Sequence, residues 1–330
     1  MESRTFGKTG KKVFVLGLGT FGHGDAYGGI GKDNSLKVMQ YIMNNILVNN
    51  PNNAYFLIDT APKYDSGNVE EWIGEFIKTS GRNNILIATK GGRHIEANRS
   101  NEKDFSSEFL KTDLINSLKR LNVDKIFLYQ LHNPNYEIIK KGEVFHLLES
   151  FRKEGKIEWY GVSINKPEEG IAAIEYCEKN KLSGLAAIQV IYNVLQKNGL
   201  DALFQLAKKH EIVIIARETL FRGFLADKYS ENTNFENCSE AVKKQIKLYG
   251  KDQILFKIHE FKQILKKHNI NFMNQAAIKF VISNPNITVA IPGINRLEYV
   301  ESDLNSANVM LNSKLLEEIN KMPDLEKLNL

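Results

Sequence analysis

Cysteine is almost missing from this chain: Cys177 and Cys238 are the only two in 330 residues. Two thiols cannot build a disulfide framework, and so sparing a use of cysteine fits a reducing compartment such as the cytoplasm. No stretch of about eighteen uncharged apolar residues occurs, so no membrane span is expected. The start, MESRTFGKTGKK, has no apolar run behind its charges and does not read as a secretory signal. Blocks of like charge are absent too. The 44 basic and 39 acidic residues are scattered and leave a formal net charge of +5, which argues against a nucleic-acid tail. There is no H-E-x-x-H and no C-x-x-C, and the seven histidines are dispersed, so no metal site is expected. A glycosidase would want two carboxylates at neighbouring strand ends. Only Asp59 stands in such a place.

What is present is a regular alternation. RTFGKTGKKVFVLGLG reads as a hairpin turned at residues 7–10 and leading into a first strand. Apolar runs FLID, ILIAT, IFLYQL, WYGV, AAIQV, IVIIA and ITVAI follow as strands. Between most of them apolar residues recur at three and four, as in Val69, Trp72, Ile73, Phe76 and Ile77, the spacing of a helix with one buried face. Strands that are apolar throughout are what a parallel sheet covered by helices requires. No linker rich in Pro, Gly or Ser divides the chain, so residues 1–330 read as one domain. The expected fold is a (β/α)8 barrel with an N-terminal hairpin and extra C-terminal helices, with a doubly wound sheet as runner-up because alternation alone does not prove closure. The polar segment 229–253 reads as an insertion on the rim.

In such barrels the chemistry sits where strands end. Reading those positions gives Asp59, Lys90, His132, Ser163, Gln189 and Arg217, with Tyr64 a turn beyond Asp59. A charged residue at a strand end is more often solvated than catalytic, yet three ionisable groups on three successive ends beside a tyrosine suit proton transfer to a carbonyl oxygen. A phenol titrates near ~10, too high for easy exchange at neutrality, and a neighbouring ammonium stabilises its phenolate. Lys90 is placed to supply that ammonium, Asp59 to hold Lys90, and His132 to donate to the substrate oxygen. No side chain supplies hydride, so a nicotinamide cofactor is implied. GLGTFG at 17–22 matches G-x-G-x-x-G formally, but a dinucleotide fingerprint needs its third glycine at a helix start, and here HGDAYGGIGKD follows, with four more glycines and no apolar face until Leu36. It reads instead as a glycine-rich first loop.

These residues, in order and over nearly the whole chain, resemble the aldo-keto reductases. The resemblance is carried by RTFGKTG, LGLGTFGHG, DTAPKYDSGNVEEWIGEFI, ATKGG, LYQLHNP, GKIEWYGVS, IQVIYN, GFLADKY and IPG. It implies an NADPH-dependent reductase of an aldehyde, ketone or keto-sugar, with NADH not excluded. Tyr64 would be the acid/base, Lys90 the group acting on it, Asp59 the partner of Lys90, and His132 the residue orienting the carbonyl. It also implies cofactor contacts from Gly19, Thr20, Phe21, Ser163, Gln189, Arg217, Leu220 and Lys228, then from Gly293, Asn295, Arg296, Tyr299 and Asp303. Arg296 is the candidate for a 2′-phosphate. Two departures stand out: Ile164 replaces the asparagine usual after the serine, and Arg217-Glu218-Thr219-Leu220 stands where many members have Tyr-Ser-Pro-Leu. The other function to weigh is a cofactor-binding regulatory subunit like the potassium-channel beta subunits, which depart at the position of His132. The loops at 23–33 and 133–136 and the 229–253 segment, rich in polar residues, suggest a hydroxylated, sugar-like substrate.

Overall fold

The computed structural model describes residues 1–24, 29–47, 50, 53–81, 84–96 and 102–328. The chain begins with the expected hairpin, β1 (Ser3–Thr5) antiparallel to β2 (Lys12–Phe14), joined by a single 3-10 turn at Gly7–Thr9. Eight parallel strands then follow in sequence order: β3 (Leu18–Gly19), β4 (Phe56–Asp59), β5 (Ile85–Gly91), β6 (Ile126–His132), β7 (Ile157–Ser163), β8 (Leu185–Ile191), β9 (Val213–Arg217) and β10 (Ile287–Ala290). The ring closes between its first and last members. Leu16 bridges Ala290, Gly17 N–H donates to the Ala290 carbonyl at 2.9 Å, and Ala290 N–H donates to the Val15 carbonyl at 2.8 Å. Sequential order with closure is a (β/α)8 barrel, and it removes the doubly wound alternative.

Helices cover the outside. They are α1 (Gly31–Ile42), α2 (Asn68–Ser80), α3 (Ser107–Leu121), the pair α4 (Tyr136–Lys141) and α5 (Glu143–Lys153), α6 (Pro167–Lys179) and α7 (Asp201–Lys209). Beyond β9 come α8 (Glu240–Tyr249), α9 (Lys251–Lys267) and α10 (Met273–Ser283), and beyond β10 α11 (Leu297–Asn305) and α12 (Ser313–Lys321). Their starts and stops follow local chemistry. The Ser106 hydroxyl accepts from Phe109 N–H at the head of α3, and Pro167 opens α6 where its missing N–H costs nothing. No helix among the described residues is long and apolar enough to cross a membrane.

Two apolar cores result. The outer one lies between helices and barrel and takes Ile73 and Phe76 from α2 and Leu110, Leu114 and Leu121 from α3. The inner one fills the lower barrel with Leu57, Leu86, Leu128, Val213, Ile215 and Val289, and the hairpin caps it from below through Phe6 and Val13. Phe6 meets Phe127 edge to face at 5.4 Å between ring centres. Arg4 fastens the hairpin to the foot of β10, donating to the carbonyls of Ile282, Asn284 and Ile287.

Two helices were not anticipated. α4 is only six residues long, set by Asn135 as N-cap and ended at Gly142 with φ 74°, too short for a periodic signal. α11 lies in the stretch from which cofactor contacts are expected. The first strand is also shorter than expected, because Phe14 belongs to the hairpin and the chain around Gly17 bonds to β10 as well as β4. The 229–253 segment holds α8, whose Val242, Gln245 and Tyr249 are buried, while Tyr229 and Phe235 stack around Phe224.

Candidate active site

Side chains alternate across a strand, so every second residue of each barrel strand points inward. Along β4 this delivers Leu57 then Asp59; along β5, Leu86, Ala88 and Lys90; along β6, Leu128, Gln130 and His132. The lower members are apolar and join the inner core, and the upper members are polar and meet each other. Residue spacing within the strands thus turns a dry floor into a polar mouth.

Asp59 is the centre of this layer. Its Oδ1 accepts from Lys90 Nζ at 2.5 Å, and its Oδ2 accepts from Gln130 Nε2 at 3.0 Å and Gln189 Nε2 at 2.8 Å. Lys90 Nζ also donates to the Thr60 carbonyl at 2.9 Å and to Tyr64 Oη at 3.4 Å. Burial pushes the pKa of Lys90 down, but the Asp59 carboxylate and the Tyr64 phenol outweigh it and the net shift is upward, so the ammonium is kept. Gly161 makes room for Gln130 and for the backbone of β8. A Cβ there would lie 2.8 Å from the Ala187 carbonyl and 3.3 Å from Gln130 Cγ.

Tyr64 enters from a turn whose residues Asp65 and Ser66 have positive φ. Phe21 packs edge to face on it at 5.2 Å, and the His132 ring stands 6.3 Å away, nearly perpendicular. Burial lowers the pKa of His132 strongly, helped by Lys90, Arg93, Arg217 and Lys63, so the imidazole is neutral at neutral pH. The structure therefore brings Asp59, Tyr64, Lys90 and His132 into one cluster.

The expected cofactor residues line β7 to β10 and the first loop. Thr20 ties that loop to β4, its N–H and Oγ1 both donating to the Asp59 carbonyl. Ser163 accepts from Asn133 Nδ2 at 3.2 Å and donates to Gln189 Oε1 at 3.4 Å. Gln189 is more inward than expected: its amide nitrogen is spent on Asp59 and Gln130, leaving its oxygen toward Ser163. Arg217 donates to Glu218, to the Ile164 carbonyl and to Asn165 Oδ1. Glu218 is locked between Arg217 and Arg222, which hold its carboxyl below the usual range against the effect of burial. Asp303 is buried on α11, accepts from Asn274 of α10 at 2.9 Å, and burial pushes its pKa up to about 6.

Whether a dinucleotide fits can be asked of the side chains themselves. Arg217 Nε, Thr219 Oγ1 and His132 Nδ1 are buried at the mouth and have no partner among the described residues, which leaves polar capacity there for a ligand. Leu220 is half-buried beside them, and Gly293 faces open space, with Gly19 O 4.0 Å from where a Cβ would stand. Lys228 and Arg296 are near enough for Arg296 to depress Lys228, after burial. Asn295 and Tyr299 are accessible next to them. Amide, hydroxyl and guanidinium at one end and two cations at the other suit a nicotinamide dinucleotide. No group of His, Cys, Asp and Glu among the described residues could hold a metal ion.

Three participants escaped the sequence reading. Gln130 was taken as part of an apolar strand, although a glutamine amid IFLYQL was the available signal. Asn133, read as loop, supplies the amide beside Ser163. Arg222 has no local signal at all, since its contact with Glu218 depends on the turn at residues 221–223.

A closed barrel with an Asp-Lys-Tyr cluster and a histidine at its strand mouths defines a carbonyl oxidoreductase class. Comparison with known proteins agrees: residues 15–324 match the aldo/keto reductase family, and the chain belongs to it. It is 26% identical over 329 residues to the aldo-keto reductase YhdN of Bacillus subtilis, covering 97% of this chain and 93% of that protein. It is 26% identical over 335 residues to a probable voltage-gated potassium channel subunit beta of Arabidopsis thaliana, covering 94% of this chain and 92% of that one. The aldo-keto reductase AKR11C1 from Bacillus halodurans, solved in a holo form, has the same fold, with a TM-score of 0.75 at 22% identity over 97% of this chain and 96% of that one.

Proposed function

We propose that the chain is a cytoplasmic NADPH-dependent reductase that converts an aldehyde, ketone or keto-sugar to the alcohol, with Tyr64 as general acid. The observation that carries this is Lys90 held between the Asp59 carboxylate and the Tyr64 phenol, with the His132 ring beside them. When bound, the nicotinamide cofactor supplies hydride to the carbonyl carbon. Tyr64 gives its phenolic proton to the carbonyl oxygen as negative charge develops there, and the Lys90 ammonium stabilises the phenolate left behind. Asp59 holds the ammonium in place. His132, neutral, aligns the carbonyl oxygen. In the reverse direction Tyr64 takes the proton back. Ser163 and Asn133 would hold the carboxamide, Arg217 would lie against the ring, and Lys228 and Arg296 would meet phosphates. Those two cations favour NADPH over NADH. The whole chain acts as one domain in this reading, and residues 229–253 wall the site from the rim.

The similarity to a channel beta subunit keeps a second reading in view, a cofactor-binding subunit with little turnover. The retained His132 favours the enzyme. Following NADPH absorbance over a panel of carbonyl compounds separates the two. Turnover that falls by about 10²–10⁴-fold in Tyr64→Phe, with NADPH binding kept, supports the reductase. Unchanged activity in that variant would remove Tyr64 from its role, and tight NADPH binding without turnover would favour the subunit.

A further inference from the structure

Behind β5, on the side away from the barrel interior, lies a buried polar layer that carbonyl reduction as described does not use. The alternation that turns Lys90 inward turns Thr89 and Gly91 outward, toward α2 and α3. Glu70 of α2 accepts from Thr89 Oγ1 at 2.5 Å, from Arg120 Nε at 2.8 Å and from Ser117 Oγ at 3.3 Å. Asp113 of α3 is buried, and its Oδ2 accepts from the N–H of Gly92, the first residue after β5, at 3.1 Å. Tyr129 of β6 brings a hydroxyl to the same place. A Cβ on Gly91 would stand 1.9 Å from Tyr129 Oη and 3.1 Å from Asp113 Oδ2, so hydroxyl and carboxylate share the space a side chain would fill. Tyr129 Oη is buried without a hydrogen-bond partner among the described residues.

Gly92 is the pivot of the exit from β5. Its φ of 96° is left-handed, and a Cβ there would stand 2.2 Å from the Phe105 ring. It lies two residues beyond Lys90 and one before Arg93, whose Nε donates to the His132 carbonyl at 3.4 Å. The N–H that Asp113 holds therefore sits between two members of the catalytic cluster. A hydrogen bond to a carboxylate is roughly twice as strong as one to a neutral oxygen, so the hold depends on the charge. The surroundings make that charge easy to lose. Burial pushes the pKa of Asp113 up to about 7, helped by Glu70 of α2 and by Glu96 beyond β5 and opposed by the Gly92 N–H and by Arg120 of α3. Tyr129 stays protonated, its pKa driven well up by burial and by Asp113. His94, from the β5 exit, packs on Phe109 one turn before Asp113, with its Nδ1 3.4 Å from Glu96.

We propose that Asp113 is a positioning residue for the reductase site: as a carboxylate it clamps the Gly92 N–H and so fixes Lys90 and His132 relative to one another from behind, and as the acid it slackens that clamp and turns its proton toward Tyr129 Oη. This deepens the reductase reading and rests on it. Above about pH 7 the carboxylate prevails and the site is fast; as pH falls through that value the acid takes over and hydride transfer slows. A slowing toward acid is the reverse of what a general acid left to itself would give.

Single-turnover oxidation of NADPH in the full chain is followed from about pH 5.5 to about 8.5, with 4-nitrobenzaldehyde or, where that is not reduced, the fastest carbonyl of the panel. The rate is expected to fall about tenfold from the alkaline to the acid plateau, as a small misplacement of reacting groups costs, with its midpoint near 7. Asp113→Asn has the shape of the acid form and no charge. It is expected to be slow at every pH, with the midpoint gone and NADPH affinity unchanged, while His94→Gln, the control for the neighbouring imidazole, keeps the midpoint. A flat profile in the unaltered chain, or the same midpoint in Asp113→Asn, overturns the proposal while the reductase stands. A second readout needs no turnover: in the cofactor-free chain, labelled in glycine and histidine, NMR follows the Gly92 amide and the His132 ring over the same range. Burial and the cations around it keep His132 neutral there, so its signals report movement rather than its own titration. A midpoint shared by both groups and lost in Asp113→Asn supports the clamp even if no carbonyl is reduced and the reductase reading fails. Signals that stay still, or that move as before in Asp113→Asn, remove it.

Discussion

Asp59 receives a lysine and two glutamines from three other strands, so one carboxylate joins four strands of the barrel. Gln130→Leu leaves Oδ2 with one donor in a buried site. It is expected to cost on the order of 1–3 kcal/mol in chemical denaturation and to lower kcat, because Asp59 then positions Lys90 less well. His23 is the other telling single residue. Its Nδ1 pairs with Ser35 Oγ at 2.6 Å and its Nε2 with the Ile294 carbonyl at 2.8 Å, stapling the first loop to α1 and to the segment after β10. Burial lowers its pKa from the model-peptide 6.5 to about 4, against the raising effect of the Ile294 carbonyl. The unfolded chain therefore binds the proton first: stability from this group is complete above pH 6.5 and is lost as pH falls from there to about 4, on the order of 3 kcal/mol. Asp113, pushed up to about 7 chiefly by burial, works in the opposite sense as pH falls. The check is a difference: melting temperature against pH should decline less steeply between pH 6.5 and 4 in His23→Gln than in the unaltered chain.

At the scale of elements, the strands and long helices were legible because burial on both faces writes apolar runs and one buried face writes a three-four spacing. The seven strands after the first came out within about two residues of their observed ends, within ordinary boundary disagreement. The cluster of Asp59, Lys90 and His132 was legible for a related reason: polar residues closing apolar runs are conspicuous. What could not be read depends on chain pieces far apart in sequence. Asp303 finds its partner Asn274 on α10, and Gln189 reaches across the barrel to Asp59 and Gln130. The C-terminal segment is of the same kind. Lys197 Nζ donates to the Val194 and Met322 carbonyls and to Asp324 Oδ1 at 3.1, 2.7 and 2.9 Å, while Leu325 N–H donates to the Leu195 carbonyl. Lys197→Met should cost about 2–3 kcal/mol, read by urea unfolding, and should make the chain after α12 a preferred site for limited proteolysis.

For the molecule as a whole, stability and chemistry lie at opposite ends of the barrel. Phe6 in the hairpin is fully buried against Phe127, remote from the strand mouths. Phe6→Ala is expected to cost about 3–5 kcal/mol in urea unfolding while leaving kcat per folded molecule unchanged. The same apolar floor bears on proton traffic. Lys90 is 1% exposed and Asp59 2%, and below them the barrel is packed with Leu57, Leu86, Leu128 and Val289. The apolar floor shields the pair from beneath, and on the mouth side Lys90 Nζ meets the half-buried phenol of Tyr64. A ligand seated over that phenol would stopper the tube, and the proton it takes would come from a store holding just what the chain had loaded before the stopper closed.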